Sequence, residues 1–509
     1  MTDSPSAKVL IANRGEIAVR VLRACREMGL LSVAVYSDCD RNALHVRLAD
    51  EAYAIGGNPA AESYLRIDTL IDVARRSGAT FVHPGYGFLA ENEDFAQACV
   101  DAGLTFIGPH PDAIRRMGNK STARSVAVDA GVPVVPGSAE PFAEDAEDTA
   151  IVSEAARIGF PLVVKAVAGG GGKGMRTVAA PGDLLAAVRT ARSEACSAFG
   201  DGTVYLERRI VNPRHIEIQL LADHHGTVLP FVERECSTQR RHQKVVEESP
   251  SVVLDVAERE AMASAAARIA KAVGYTNAGT IEFLYDPAAR SFYFLEMNTR
   301  LQVEHPVTEV VTGVDLVQWQ IRIARGERLM VSAAQALTPR AHAIECRVYA
   351  EDPDAGFRPS PGLVRALSVP GGPGVRDDRG VAAGFEIPIF YDSMISKLVV
   401  WGATRDEAIA RLTRALDEYR VVGVTTTVPF FRWLVQQPEF LESRVSTTYL
   451  DGVLAARNDA PFVVADAVDE RDATVVAALS AWFRAHGAAT QAAARDSAWR
   501  RAGRRESLR

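Results

Sequence analysis

Ser291-Phe292-Tyr293-Phe294-Leu295-Glu296-Met297-Asn298-Thr299-Arg300-Leu301-Gln302-Val303-Glu304-His305-Pro306 is the stretch on which the fold of this chain turns. Its first half, Ser291 to Met297, has the composition of a β-strand. A second such segment, Ala278 to Tyr285, precedes it across a turn through Asp286-Pro287, so the two form an antiparallel hairpin. Two-residue alternation puts Glu282 on a face with Thr280 and Leu284. It puts Glu296 on a face with Phe292, Phe294 and, just beyond, Asn298. Two neighbouring carboxylates repel and need a cation, and hard oxygens beside an amide suit Mg²⁺ bridging nucleotide phosphates. The loop that follows crowds together Arg300, Gln302, Glu304 and His305. An Arg there can hold a small planar anion through two hydrogen bonds, and a Glu can serve as a general base.

Upstream, strand Pro161–Val164 runs into Lys165-Ala166-Val167-Ala168-Gly169-Gly170-Gly171-Gly172-Lys173-Gly174-Met175-Arg176. Glycines let backbone N–H groups close on phosphate oxygens, and the flanking ammonium groups neutralise them. Gly-Lys-Ser/Thr is absent, so this is not a Walker A loop. The segment Glu233 to Lys244 is dense in donors but, taken alone, has the look of a solvated charged run. Strand His215 to Leu220 alternates as an antiparallel strand with one polar face. Strand Ala343 to Val348 puts Ile344, Cys346 and Val348 on an apolar face and Glu345 and Arg347 on the other.

The N-terminal part has a different period. Val9–Ala12, Ile17–Met28 closed by Gly29, and Ser32–Tyr36 make a strand–helix–strand unit without Gly-x-Gly-x-x-Gly. Helix Ile67–Ser77, strand Thr80–His83 and the loop Pro84-Gly85-Tyr86-Gly87 follow. A third region, about 335 to 450, mixes strands with a helix from Arg405 to Tyr419. After Leu450 comes a tail, first irregular, then Ala-rich, ending in Arg500, Arg501, Arg504, Arg505 and Arg509.

Composition narrows the function. With 509 residues, 48% hydrophobic and 24% charged, the chain is an ordinary globular mixture of several domains. A net charge of −7 argues against a nucleic-acid partner. No apolar run approaches the roughly 20 residues of a membrane span, and Met1 to Ala7 has no signal-peptide core. The six cysteines form no Cys-x-x-Cys site, which points to a reducing, cytoplasmic setting. Only seven lysines stand among the 57 basic residues, so a retained Lys reflects either a need for a compact ammonium or mere codon drift, with the four inside motifs pointing to the first.

Six motifs, taken in order, closely resemble the biotin carboxylase family over about residues 8 to 450. They are Asn13-Arg14-Gly15-Glu16-Ile17-Ala18, His83-Pro84-Gly85-Tyr86-Gly87-Phe88-Leu89, the glycine stretch, Arg240-Arg241-His242-Gln243-Lys244-Val245-Val246-Glu247-Glu248, Glu296 to His305, and Glu345-Cys346-Arg347. Singly, only the Glu296 to His305 run is specific; together the set is highly so.

The resemblance implies an α/β and α+β chain in several parts. These are a Rossmann-like N-terminal domain over 1–116, an ATP-grasp core over 117–334 with a mobile lid at about 135–208, and a mixed α/β C-terminal domain over 335–450. The remaining 451–509 form an Ala/Arg-rich tail that could dock a partner. Contacts to ATP are implied for Lys120, Lys165, Gly170, Gly171, Gly172, Glu207, His215, Gln239, His242 and Leu284. Next to Glu207 stands Arg208, where the family often has Lys. Metal ligands are Glu282, Glu296 and Asn298, for Mg²⁺ or Mn²⁺. Bicarbonate falls to Lys244, Arg300, Gln302 and Val303. Glu304 is the base, and Arg347 faces biotin with Tyr86 nearby. Glu304, Arg347, Arg300 and Lys244 form the catalytic set.

The implied reaction is ATP- and bicarbonate-dependent carboxylation of biotin, the first half-reaction of an acyl-CoA carboxylase. Biotinylated carriers carry Ala-Met-Lys-Met, and no Met-Lys pair occurs in this sequence. The expected partners are therefore a biotin carboxyl carrier protein and a carboxyltransferase on separate chains, with the chain itself a homodimer. Carbamoyl-phosphate synthetase also activates bicarbonate, but it duplicates its ATP-grasp unit, and one motif set is present here. A silent scaffold protein would not need Lys120, Lys165, Glu296, Arg300, Glu304 and Arg347 intact.

Overall fold

A computed structural model describes residues 7–138, 140–167, 175–458, 460–462 and 467–486. The N-terminal sheet has five strands: β1 (Lys8–Ile11), β2 (Leu31–Ser37), β3 (Glu51–Gly56), β4 (Phe81–His83) and β5 (Thr105–Phe106). All pairings are parallel, in the order β3-β2-β1-β4-β5. Strand order reverses between β1 and β4, and in such sheets ligands collect at the strands' carboxyl ends beside that point. The residues placed there are Asn13 after β1 and the loop Pro84–Gly87 after β4. Asn13 donates to the carbonyls of Pro84 (2.7 Å) and Tyr86 (2.8 Å), which fixes the loop. Gly85 has φ +65°, and a Cβ there would meet the Asn13 amide at 2.9 Å, so only glycine fits.

A small antiparallel sheet follows: β6 (Leu162–Ala166), β7 (Met175–Val178) and β8 (Val204–Arg208), in the order β7-β6-β8. With helices Asp148–Ile158 and Leu184–Phe199 it closes around its own core of Ile151, Leu162, Val164, Val188 and Leu206. The glycine stretch with Gly170, Gly171 and Gly172 lies outside the described residues.

The third sheet carries most of the chemistry. Its strands are β9 (Arg214–Ala222), β10 (Val228–Pro230), β11 (Arg234–Arg240), β12 (Gln243–Ser249), β13 (Asn277–Asp286), β14 (Ser291–Asn298) and β15 (His342–Tyr349), with Met394–Gly402 and Val375–Arg379. The order is β14-β13-β9-β11-β12-β15, then Met394–Gly402 and Val375–Arg379, with β10 on β9. Pairing of β12 with β15 carries one sheet continuously across residue 335. One face packs Ile216, Ile218, Ile281 and Phe283 against Met262, Ala266 and Ile269 of helix Val256–Ala272.

Three expectations change. A bulge at Leu295 follows the Glu282–Glu296 pair, so Phe283 faces Phe294 and Tyr285 faces Phe292. The extra residue reverses the alternation. Glu296 therefore shares its face with Asn298 but not with Phe292 and Phe294, which turn to the core. Second, the polar face of β9 is not solvated: His215, Glu217 and Gln219 are buried. Third, the start of the tail is not irregular, because Tyr449–Ala456 is helical. A separate unit from residue 460 contains helix Ala467–His486, which exposes Val475, Val476, Leu479, Trp482 and Phe483.

Candidate active site

Alternation along β9 aims His215, Glu217 and Gln219 at one side, and β11 answers with Arg234, which is fully buried. Its guanidinium spends its donors on Glu217 Oε1 (2.5 Å), Gln219 Oε1 (2.9 Å), Thr308 Oγ1 (2.9 Å), Thr280 Oγ1 (3.1 Å) and Gln302 Oε1 (2.8 Å). Glu217 and Arg234 form the floor of the site. Neither was singled out from the sequence, although the period-two pattern His215-x-Glu217-x-Gln219 was there to find. The segment Glu233 to Lys244 is likewise mostly buried strand rather than a solvated run.

A tight turn links β11 to β12 at Arg241 (φ +49°) and His242 (φ +65°). Two successive positive φ values make the reversal that hairpins favour, ordinarily built from Asn and Gly. The turn leaves His242 exposed at its tip and brings Lys244 back over the floor. Lys244 Nζ donates to Glu217 Oε2 (2.6 Å), Glu282 Oε1 (2.8 Å) and Glu304 Oε1 (2.6 Å). Burial opposes its charge, but the three carboxylates hold its pKa well above the usual lysine value.

Glu304 closes the loop at the start of helix His305–Thr312. Its second oxygen accepts from Arg347 Nη2 at 3.0 Å, and Arg347 Nε donates to Glu247 Oε1 at 2.6 Å. Burial pushes Glu304 upward, and Lys244 and Arg347 overcome this, leaving it below the usual glutamate value. Glu247 goes the other way: burial lifts it to about 7 against the pull of Arg347. The clamp Lys244–Glu304–Arg347 thus joins residues from β12, the loop and β15.

Arg300 Nε donates to Glu91 Oε2 (2.9 Å) and its Nη2 to Asn298 Oδ1 (3.0 Å), while Thr299 N donates to Glu91 Oε1 (2.9 Å). Glu91, which no sequence motif marks, anchors this loop from the N-terminal part. Gln302 Nε2 donates to Glu282 Oε1 at 2.8 Å.

Glu282 and Glu296 stand directly opposite each other across β13 and β14. Burial and then the charge of Glu282 push Glu296 upward. Burial also opposes ionisation of Glu282, but Lys244 and His215 hold it well below the usual value. Asn298 Nδ2 donates to Glu282 Oε1 at 2.9 Å, and Glu296 accepts no hydrogen bond from a described residue. Opposed carboxylates with an amide alongside, one carboxylate unpartnered, fit a hard divalent cation. His215, Glu217 and Glu282 also bring ligand atoms within 4.8 Å of one another, a second set sharing Glu282. His215 Nε2 lies 3.1 Å from Glu282 Oε2; burial disfavours its charge, yet Glu282 lifts it to about 9.

The remaining expected residues lie on several elements. Gln239 Nε2 contacts His215 Nδ1 at 3.1 Å, and Leu284 is the cross-strand partner of His215. Lys120 is exposed at the start of helix Lys120–Asp129, and its charge lowers Glu296. In the small sheet Lys165 is ion-paired with Glu207, whose other oxygen is 3.4 Å from Arg124. The Val303 carbonyl accepts from Lys397, whose ammonium lies 5.7 Å from the centre of the Tyr86 ring.

Residues 5–114 match the family model for the biotin carboxylase N-terminal domain and residues 345–452 the one for its C-terminal domain. Residues 119–332 match the ATP-binding domain of the carbamoyl-phosphate synthase L chain. A biotin carboxylase of Nostoc sp. is 53% identical over 443 residues, covering 87% of this chain and 98% of that one. The chain belongs to the biotin carboxylase family. A pyruvate carboxylase subunit of Methanothermobacter thermautotrophicus is 52% identical over 445 residues, 87% of this chain and 89% of that one. Among solved structures, Campylobacter jejuni biotin carboxylase in its β,γ-ATP complex aligns with TM-score 0.81 and 45% identity, covering 87% and 98%. The biotin carboxylase domain dimer of Hydrogenobacter thermophilus 2-oxoglutarate carboxylase, solved with MgADP, ADP and bicarbonate, gives TM-score 0.81 and 46% identity, covering 90% and 99%. The expected fold class, a Rossmann-like part followed by an ATP-grasp part and a mixed α/β part, is the one observed. As a biotin carboxylase family member the chain is an ATP-dependent ligase.

Proposed function

We propose that this chain uses ATP and bicarbonate to carboxylate biotin held by a separate carrier, and that the expected site residues act in the roles given above. The observation that carries this is the Lys244–Glu304–Arg347 clamp set beside the Glu282–Glu296 pair. It supports reading a carboxylate base, two cations for a small anion and a cation site as neighbours, since Lys244 bridges Glu282 and Glu304. Mg²⁺ on Glu282, Glu296 and Asn298 would neutralise charge on the nucleotide phosphates. Lys244, Arg300, Gln302 and the Val303 backbone hold bicarbonate, with Lys120, Lys165 and Glu207 on the nucleotide.

Glu304 takes the bicarbonate proton, and a bicarbonate oxygen attacks the γ-phosphorus, releasing ADP and leaving carboxyphosphate. In the free chain Lys244 and Arg347 hold Glu304 low; an incoming anion shares those cations and raises its basicity. Carboxyphosphate splits into CO₂ and phosphate. The phosphate removes the biotin N1 proton, Arg347 steadies the resulting anion, and N1 attacks CO₂. Closure of the 135–208 lid keeps water from the intermediate.

The segmentation 1–116, 117–334, 335–450 and 451–509 belongs to the same proposal, and the three family-model matches support its cuts. Its partners are a biotin carboxyl carrier protein and a carboxyltransferase on other chains, with a homodimeric cytoplasmic enzyme. Relatives that are themselves named as carboxylase subunits support a multi-subunit setting. No described helix is long and apolar enough to cross a membrane. The exposed apolar side chains of Ala467–His486 support the docking role of the tail. Purified chain with Mg²⁺ should release ADP only when bicarbonate is present, and faster with free biotin. Absence of any bicarbonate-dependent, biotin-stimulated ADP release would favour a scaffold.

A further inference from the structure

Lys397 sits on strand Met394–Gly402, directly across from Arg347 on β15. It is one of seven lysines, its side chain is fully buried, and none of the steps above uses it. A buried ammonium costs several kcal/mol unless its surroundings repay it. Three groups do so. Nζ donates to the Val303 carbonyl at 2.8 Å, lies 3.3 Å from Glu16 Oε2 on helix Gly15–Glu27, and faces the Tyr86 ring. The buried Glu345, which accepts no hydrogen bond from a described residue, lies close enough for the Lys397 charge to act on it.

The Val303 carbonyl belongs to the peptide that leads into Glu304. A peptide is planar, so holding that oxygen fixes the plane from which the Glu304 side chain starts. Lys244 and Arg347 grip the carboxylate of Glu304, and Lys397 grips the backbone behind it. Gln302 and the Val303 N–H lie on the preceding side of the same residue. The tie to Glu16 then sets this loop against the N-terminal helix, and the Tyr86 contact sets it against the loop after β4. A single compact ammonium can meet a carbonyl, a carboxylate and a ring face in these divergent directions, whereas the planar fork of Arg cannot.

We propose that Lys397 is a positioning residue for the bicarbonate site: it fixes the Val303–Glu304 peptide from behind and, through Glu16, ties it to the N-terminal helix. This rests on the reading of Lys244, Arg300, Gln302 and Val303 as the bicarbonate site. The test is steady-state ADP release by Lys397→Met, with bicarbonate and ATP varied separately and thermal unfolding recorded alongside. Lys397→Met should raise the bicarbonate KM about tenfold and leave the ATP KM within about twofold. A purely structural lysine would instead lower kcat with the loss of folded protein and leave both KM values in place, and that result overturns the proposal. If Lys397→Met does not fold, Glu16→Gln, which removes the other anchor of the ammonium, takes its place. It should raise the bicarbonate KM severalfold at unchanged ATP KM, and an unchanged bicarbonate KM overturns the proposal equally. Wild-type chain with no bicarbonate-dependent ADP release would instead remove the site reading itself, and Lys397 with it. An active wild type with an unmoved variant would remove Lys397 alone.

Discussion

Glu304 and Arg347 share one hydrogen bond but serve different substrates. Glu304→Gln keeps the shape and loses the base, so ADP release and carboxybiotin formation should both fall by ~10²–10⁴-fold. Arg347→Gln should cut carboxybiotin more than ADP release, because carboxyphosphate can still form and decay. Equal proportional losses in the Arg347 variant, with both products measured in one assay, would refute this division. Glu304 was legible because it lies in the specific Glu296 to His305 run, whereas Arg347 read only as a polar-face strand residue until the family resemblance gave it a role. Glu217, Arg234, Glu247, Glu91 and Lys397 were not legible, because each acquires its meaning from a partner far along the chain. Lys397 meets Val303 and Glu16, and Glu91 meets Thr299 and Arg300. Rarity among so many arginines is the one signal of Lys397 that the sequence carries, and it says nothing of where the ammonium points.

The hairpin of β13 and β14 was readable as an element, but not its bulge. No residue type announces that Leu295 is the extra one; the register is set by burying Phe292, Phe294 and Met297 against the core. The outcome keeps Glu296 opposite Glu282 with Asn298 beside them. Like charges directly opposite destabilise a sheet, so Glu296→Gln should stabilise the metal-free chain by ~0.2–1 kcal/mol. The same variant should lose the rise in melting temperature that Mg²⁺ with ADP gives the wild type. A metal-free melting temperature that falls, with the MgADP shift retained, would disprove the paired-carboxylate reading. On β11, beyond β9, Arg234→Met strips the floor of its cation and leaves Glu217 buried with Lys244. Losing one partner of a buried pair costs ~3–5 kcal/mol, to be read from urea unfolding.

Across the whole molecule, the parts were legible in their order, while the ties between them were not. Glu309, on helix His305–Thr312, accepts from Arg20 of the N-terminal part (2.7 Å) and from Arg376 on the far edge of the large sheet (2.8 Å). Burial raises its pKa, but Arg20 and Arg376 win and bring it to about 2, from an ordinary value of 4.5. The folded-state value lies below the unfolded one, so the stabilisation is complete above about 4.5 and is lost as pH falls through about 2. Glu309→Gln should therefore cost ~3–5 kcal/mol near neutrality. The difference from wild type should shrink steadily between those two pH values, as followed by urea unfolding. A gap independent of pH would mean that the carboxylate charge is not what joins the parts.

All of these ties converge on one event, transfer of the γ-phosphoryl group to an oxygen of bicarbonate beside Glu304. That oxygen stays on phosphorus when carboxyphosphate releases CO₂. A single turnover with ATP, Mg²⁺, free biotin and heavy-oxygen bicarbonate, with the product phosphate weighed by mass spectrometry, tests this most directly. The heavy oxygen should appear in the inorganic phosphate in step with carboxybiotin. Carboxybiotin accompanied by unlabelled phosphate, or ADP released without either, would contradict it.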